Sequence, residues 1–261
     1  MERVPVKIDP YKYPASFLAL LDGAQVYDSR CASGAEVLFI DRDDGYYLKS
    51  MKRGELEAEA RMTKYFGDLG LGARVLAFEQ DDRDYMLTAR VHGEDCTHRQ
   101  YLADPKRLCD LYAELLYDLH HRDFSSCPVQ DRVAAYRSLA YENYRTGNYD
   151  KESFPDSFGY ASAEEAMAVI EKYGSDLKSD TLIHGDYCLP NVMLDDWRFS
   201  AFIDVGNGGV GDRHIDLFWG VWTLWYNLGT HEYGDRFLDA YGRNNFDRDL
   251  LRVVAAFEVF G

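Results

Sequence analysis

The chain has 261 residues, 46% of them hydrophobic and 15% aromatic, enough apolar material for a sizeable core and too much for a disordered chain. Asp and Glu outnumber Lys and Arg 45 to 29, and the resulting net charge of −16 argues against nucleic acid or an anionic membrane as partner. A small cationic molecule is the ligand such a charge favours.

The first residues, MERVPVKIDPYKYP, contain no apolar core of signal-peptide length. The runs AEVLFIDRDDGYYLKS and RVLAFEQDDRDYMLTARV each place apolar segments either side of an acidic turn, and both read as antiparallel hairpins. Between them, RGELEAEARMTKYFGDLG combines strong helix formers with a glycine stop. After VHGEDC the period changes. In DPKRLCDLYAELLYDLHHRD, Leu108, Leu111, Tyr112, Leu115, Leu116 and Leu119 form one helical stripe. Further helices are expected in DRVAAYRSLAYENYR, SAEEAMAVIEKYG, RHIDLFWGVWTLWYNLG, YGDRFLDAYG and DRDLLRVVAAFEVF. The shift sets an expected boundary at residue 91, with a sheet-rich lobe over 1–91 and a mostly helical lobe over 92–261. The longest apolar segment, LFWGVWTLWYNLG, is too short to span a bilayer. Cys31, Cys96, Cys109, Cys127 and Cys188 are odd in number, lack the close pairing of zinc or redox motifs, and read as reduced thiols of a cytoplasmic protein.

The stretch LIHGDYCLPNVML, from Leu182 to Leu194, sets His184, Asp186 and Asn191 between two apolar strands, and FIDVGN then interrupts another apolar run with Asp204. One carboxylate beside a hydroxyl can orient it and accept its proton, while an amide oxygen and a second carboxylate can hold magnesium against phosphate oxygens. Taken singly, each of these residues is more often a turn cap or a strand end. Their ordered combination points to phosphoryl transfer. That chemistry needs a cation on the phosphates, and Lys49, ending the apolar run GYYLKS, is so placed, although an edge-strand lysine would look the same. A buried lysine needs a carboxylate partner, and the following helix offers Glu55, Glu57 and Glu59. The turn at Ser33 and Gly34 can present backbone N–H groups to a phosphate.

HGDYCLPNVML followed by RFSAFIDVGNGGVGDRHID closely resembles the aminoglycoside 3'-phosphotransferases, with likeness reaching from about Val26 to the C-terminal end. The resemblance implies an α+β, two-lobed protein-kinase-like fold, with a small antiparallel-sheet N-lobe carrying one helix and a larger helical C-lobe. It implies ATP- and magnesium-dependent transfer of the γ-phosphate to a hydroxyl, the 3'-hydroxyl, of an aminoglycoside, with ATP or GTP as donor. Carried over by motif, Asp186 is the catalytic base, Asn191 and Asp204 the magnesium ligands, and Lys49 the phosphate contact with Glu57 as its partner. Tyr47 falls where an aromatic ring stacks on adenine, and Ala89 and Val91 fall on the hinge whose backbone meets the adenine edge. His184 and Asp216 support the catalytic loop.

Departures from the pattern fall on the acceptor side. Asn207 replaces the usual arginine, Tyr226 and Asn227 stand where relatives carry acids, and the chain closes on FEVFG, keeping Glu258. The remaining candidates for gripping ammonium groups are Glu258 and, in TGNYDKESFPDSFG, Asp150, Glu152 and Asp156. Two other readings stay open: the same chemistry on a macrolide, choline or another metabolite, and a non-catalytic nucleotide-binding protein. A monomer or weak dimer is expected.

Overall fold

The computed structural model describes residues 4–29, 34–150 and 158–261. By its internal contacts the chain divides into two compact units, one reaching from the N-terminal side to Gly93 and including Met193–Gly206, the other comprising Glu94–Val192 and Asn207–Gly261.

In the first unit, strands β1 (Val4–Val6), β2 (Gln25–Asp28), β3 (Glu36–Asp41), β4 (Tyr46–Lys52), β5 (Val75–Gln80) and β6 (Arg83–Ala89) form a six-stranded antiparallel sheet in the order β1-β2-β3-β4-β6-β5. The β3–β4 hairpin turns at Asp43 and Gly45, both at positive φ, which is why an Asp-Asp-Gly sequence sits there. Strand alternation then sorts the side chains of β4. Leu48 joins Leu38, Ile40, Tyr85 and Leu87 in a core closed by Phe17 and Leu21. Tyr47, Lys49 and Met51 point to the opposite face, where Ala60 of helix α1 (Glu57–Asp68) and Leu56 just before it pack against Met86, with Met51, Val75 and Phe78 alongside.

A later hairpin, β7 (Val192–Asp195) with β8 (Arg198–Phe202), returns to this unit. Its turn residues Asp196 and Trp197 have φ of 45° and 64°, the paired left-handed conformation of a tight hairpin. The Phe202 amide donates to the Leu71 carbonyl at 2.7 Å. Gly93, at φ 97°, meets Leu194 so closely that a Cβ there would lie 2.2 Å from the Leu194 carbonyl oxygen.

The second unit is largely helical. It contains α2 (Pro105–His120), α3 (Arg132–Thr146), α4 (Ala163–Tyr173), α5 (Arg213–Leu228), α6 (Glu232–Tyr241) and α7 (Arg248–Glu258). The starts of all but α6 are capped by the carboxylates Asp104, Asp131, Asp212 and Asp247 and the hydroxyl of Ser162, each accepting a backbone N–H of the first turn. Met167, Ile170, Val254, Phe257 and Phe260 lie at the centre of its core. Two short strands, β9 (Thr181–Ile183) and β10 (Gly209–Gly211), pair antiparallel with Ile183 opposite Gly209. They present the loops that follow Ile183 and precede Gly209. Among the described residues no helix is long and apolar enough to cross a membrane, and the four described cysteines are free thiols.

Candidate functional site

Within the first unit, β4 delivers Lys49 to the face that α1 covers. Its Nζ donates to both carboxylate oxygens of Glu59 at 2.7 Å and lies 3.6 Å from Asp204 Oδ1. The expectation that Glu57 pairs with Lys49 is therefore corrected: Glu57 is exposed at the first turn of α1. Helical phase decides between them. Glu59 continues the buried face of Met62, Thr63 and Phe66, whereas Glu57 continues the exposed face of Arg61 and Lys64. Burial alone would lower the Lys49 ammonium, but the carboxylates of Asp204 and Glu59 outweigh it and raise its pKa. Glu59 is itself pushed up by burial, with Lys49 opposing that rise.

Asp204 has φ 56°, a left-handed conformation that Asp tolerates better than most side chains. Its carboxylate stays 56% exposed, so a ligand can reach it while Lys49 stands beside it. Gly206, two residues on, passes the side chain of Glu59, where a Cβ would come within 3.0 Å of Glu59 Cγ. Tyr47 lies on the same strand face as Lys49, its ring 5.2 Å from that of Phe39. The Ala89 N–H donates to the Arg74 carbonyl at 2.9 Å, which commits that donor within the first unit. Val91 follows in irregular backbone, half-buried.

Within the second unit, the loop after β9 carries Asp186 and Asn191. The Asn191 side-chain amide donates to the Asp186 carboxylate at 2.8 Å and to the Asp186 backbone carbonyl at 2.9 Å. With its nitrogen committed twice, Asn191 keeps Oδ1 as the atom to meet a cation. The Cys188 thiol, pushed up by burial and by the nearby Asp186 carboxylate, stays protonated. Behind the loop, Asp216 on α5 is fully buried and accepts the backbone N–H groups of His184 at 2.7 Å and Gly185 at 2.8 Å. His120, at the end of α2, reaches the same carboxylate through Nε2 at 3.1 Å and meets Tyr241 Oη through Nδ1 at 2.8 Å. Burial lowers the His120 pKa against the opposing pull of Asp216, so the ring is neutral, donating from Nε2 and accepting at Nδ1. Tyr112 and Tyr187 stack at 4.3 Å and exchange hydroxyl-to-carbonyl hydrogen bonds of 2.6 and 2.7 Å, which ties the loop to α2. His120 escaped the sequence reading, since a histidine at a helix end carries no mark of burial.

Asp186 opens onto a cavity of about 410 Å3 within this unit, also lined by Arg132, Tyr136, Asn207, Trp219 and Glu258. Glu258 accepts from Tyr136 Oη at 2.5 Å and from Trp219 Nε1 at 2.9 Å. Burial raises its pKa to about 7 against the pull of those donors, and the Asp186 charge adds to the rise. Arg132, which no motif singled out, donates to Asn207 Oδ1 at 2.6 Å. Tyr226 is 67% exposed and stacks on Trp222, while Asn227 folds back onto Thr223 of its own helix. Asp150 is exposed, and Ser33, Glu152 and Asp156 lie outside the described residues.

The donors expected to hold magnesium, Asn191 Oδ1 and the Asp204 carboxylate, are hard oxygens, which suits that ion. Among the described residues no group of three or more His, Cys, Asp and Glu gathers to enclose a metal. A magnesium ion with so few protein ligands takes the rest from water and phosphate.

The family model described as the phosphotransferase enzyme family matches residues 29–254. A probable aminoglycoside 3'-phosphotransferase from Lactococcus lactis is 45% identical over 257 residues, covering 98% of each chain. An aminoglycoside 3'-phosphotransferase from Niallia circulans is 28% identical over 80% of this chain and 78% of its own. Among solved structures, an aminoglycoside-3'-phosphotransferase of type VIII superposes with a TM-score of 0.75 at 24% identity over 96% of each chain. The aminoglycoside phosphotransferase APH(3'')-Id from Streptomyces rimosus, solved with ADP and streptomycin, gives 0.75 at 21% identity, over 97% of this chain and 99% of its own. The shared fold is α+β and protein-kinase-like, as the motifs imply.

Proposed function

Because the chain belongs to the phosphotransferase enzyme family, we propose that it transfers the γ-phosphoryl group of ATP to a hydroxyl, the 3'-hydroxyl, of an aminoglycoside. The observation that carries this reading is the cavity in which Asp186, fixed by Asn191, faces the same space as Glu258. One carboxylate there suits a reacting hydroxyl and the other an ammonium group. The 45% identity over nearly the whole length supports the choice of acceptor. GTP is an alternative donor, and the setting is cytoplasmic, with the enzyme acting as a monomer or weak dimer.

Each residue then has a task. Lys49, held by Glu59, meets the nucleotide phosphates. The backbone at Ala89 and Val91 holds the adenine edge, with Tyr47 against the ring. Asn191 and Asp204 are the magnesium ligands; magnesium, when bound, neutralises charge on the phosphoryl oxygens. Asp186 orients the acceptor hydroxyl and takes its proton, and Glu258 holds an ammonium group so that this hydroxyl stays in place. The buried Asp216 fixes the backbone just before Asp186, limiting how far the carboxylate can wander.

A coupled assay of ADP release, with magnesium and a panel containing kanamycin, neomycin and streptomycin, tests the proposal. Wild-type protein should turn over at least one member, and Asp186→Ala should be slower by about 100- to 10,000-fold, the usual worth of a positioned base. No turnover on the whole panel removes the acceptor assignment. Undiminished turnover in Asp186→Ala removes the mechanism.

A further inference from the structure

Helix α5 carries a run of rings that the proposed chemistry does not use. Trp219, Trp222 and Tyr226 recur at spacings of three and four residues, which places them on one stripe of the helix. Trp219 lines the acceptor cavity with Asp186 and Glu258. Trp222 meets Trp219 edge to face at 5.3 Å between ring centroids, and Tyr226 stacks on Trp222 at 5.0 Å with the two planes only 10° apart. The three rings thus continue the cavity wall along the helix toward solvent.

Ordinary core packing does not account for this stripe. Among the described residues the Trp222 Nε1 is buried without a hydrogen-bond partner, although a buried indole N–H usually finds one. Such an orphan destabilises, so stability alone gives no reason for an indole here. At the outer end Tyr226 is 67% exposed, and because Trp222 covers one face of its ring, the exposure falls on the other face and the edges. From Leu217 to Leu228 the helix carries no charged side chain. Tyr226 and Asn227 stand where relatives carry acids, and Asn227 is turned back on its own helix, its amide donating to the Thr223 carbonyl at 2.8 Å. What remains there for a ligand is a ring face.

We infer that Trp219, Trp222 and Tyr226 form an aromatic shelf that receives an ammonium-bearing sugar ring of the acceptor, the ring farthest from the reacting hydroxyl. The inference rests on the proposed phosphotransferase reading. With Asp186 taking the hydroxyl and Glu258 an ammonium inside the cavity, a ring projecting beyond them lies along the stripe. The negative face of an aromatic ring attracts a cation, and its flat apolar surface covers the C–H groups of a sugar. Where an acid grips one ammonium at one point, a ring face accepts a cation across its area, so the shelf selects for an additional amino-sugar ring rather than for one pattern of amines.

The test is calorimetric binding followed by steady-state kinetics, with neomycin, kanamycin and neamine, the two-ring fragment of neomycin. For Tyr226→Ala the shelf predicts dissociation constants and acceptor KM for neomycin and kanamycin raised by about 2- to 30-fold, the usual worth of a cation on a ring face, with kcat and KM for ATP changed much less. Neamine should lose less, and Tyr226→Phe, which restores the ring, should recover most of the loss. Thermal melting and ATP binding identify a variant that fails to fold, and Tyr226→Leu carries the test if Tyr226→Ala does so. Equal binding of neomycin by wild type and Tyr226→Ala overturns the inference, as does a loss that neamine shares in full or a fall confined to kcat. Self-association of wild type that Tyr226→Ala abolishes, with acceptor binding unchanged, makes the stripe a contact between two copies of the chain and overturns it as well. Wild type that binds no aminoglycoside removes the acceptor assignment, and this inference with it.

Discussion

Glu59 shows how one side chain fixes the lysine to which the proposed function gives the nucleotide phosphates. Its two oxygens hold Lys49 at 2.7 Å, and the loss of that charge would leave the ammonium free to swing toward Asp204 alone. Glu59→Gln should therefore lower kcat/KM for ATP by about tenfold or more, about 1.4 kcal/mol, while Glu57→Gln stays near wild type in the same steady-state assay. The pairing was readable in principle. Met62, Thr63 and Phe66 already mark the buried face of α1 and Glu59 extends it, but counting from a neighbouring strand led to the residue two positions away, on the opposite side of the helix. Glu258, by contrast, was legible as an acid on the apolar last turns of its helix. Its raised pKa, about 7, has two consequences of opposite sign. Below that value the carboxyl is neutral and its hold on an ammonium group is lost, so acceptor KM should rise as pH falls through about 7, a dependence absent in Glu258→Gln. Stability runs the other way, because a carboxyl raised in the folded state binds more protons there than in the unfolded chain. Its contribution is present below the usual Glu range and is lost as pH climbs through about 7. Melting temperatures of wild type and Glu258→Gln, compared across that window, should converge or cross accordingly.

At the level of elements, the loop bearing Asp186 is held from behind by α2, α5 and α6. Asp216 on α5 accepts two backbone amides, and His120 and Tyr241 fix its carboxylate in turn. Asp216→Ala strands those amides in a dry interior, and urea denaturation should show a loss of about 2–5 kcal/mol. A variant that unfolds at the wild-type midpoint contradicts this bracing role. The helices themselves were plain in the sequence from the apolar stripe of α2 and the runs of strong helix formers, and a glycine follows α3, α4, α5 and α6. The hairpin β7–β8 was visible as a strand pair, yet nothing in a linear reading says that Met193–Gly206 packs with the first unit. That placement depends on close backbone approach at Gly93 and on the Leu71 to Phe202 bridge, contacts between segments more than a hundred residues apart. Likewise, the loss of an arginine at Asn207 could be seen, but the guanidinium supplied by α3 could not, because only the fold brings Arg132 to that amide.

Across the whole molecule, the net charge of −16 creates a field that draws in polycations. Raising ionic strength from about 0.05 to 0.5 M should lower kcat/KM for the acceptor several-fold through screening, with no parallel drop for anionic ATP. The most direct measurement of the central claim is the product itself. Phosphorus NMR of kanamycin incubated with the protein, ATP and magnesium should show one new phosphate monoester, coupled to the sugar proton at the 3' carbon and formed in step with ADP. ADP released with only inorganic phosphate beside it, or no consumption of ATP on any aminoglycoside, would contradict the account.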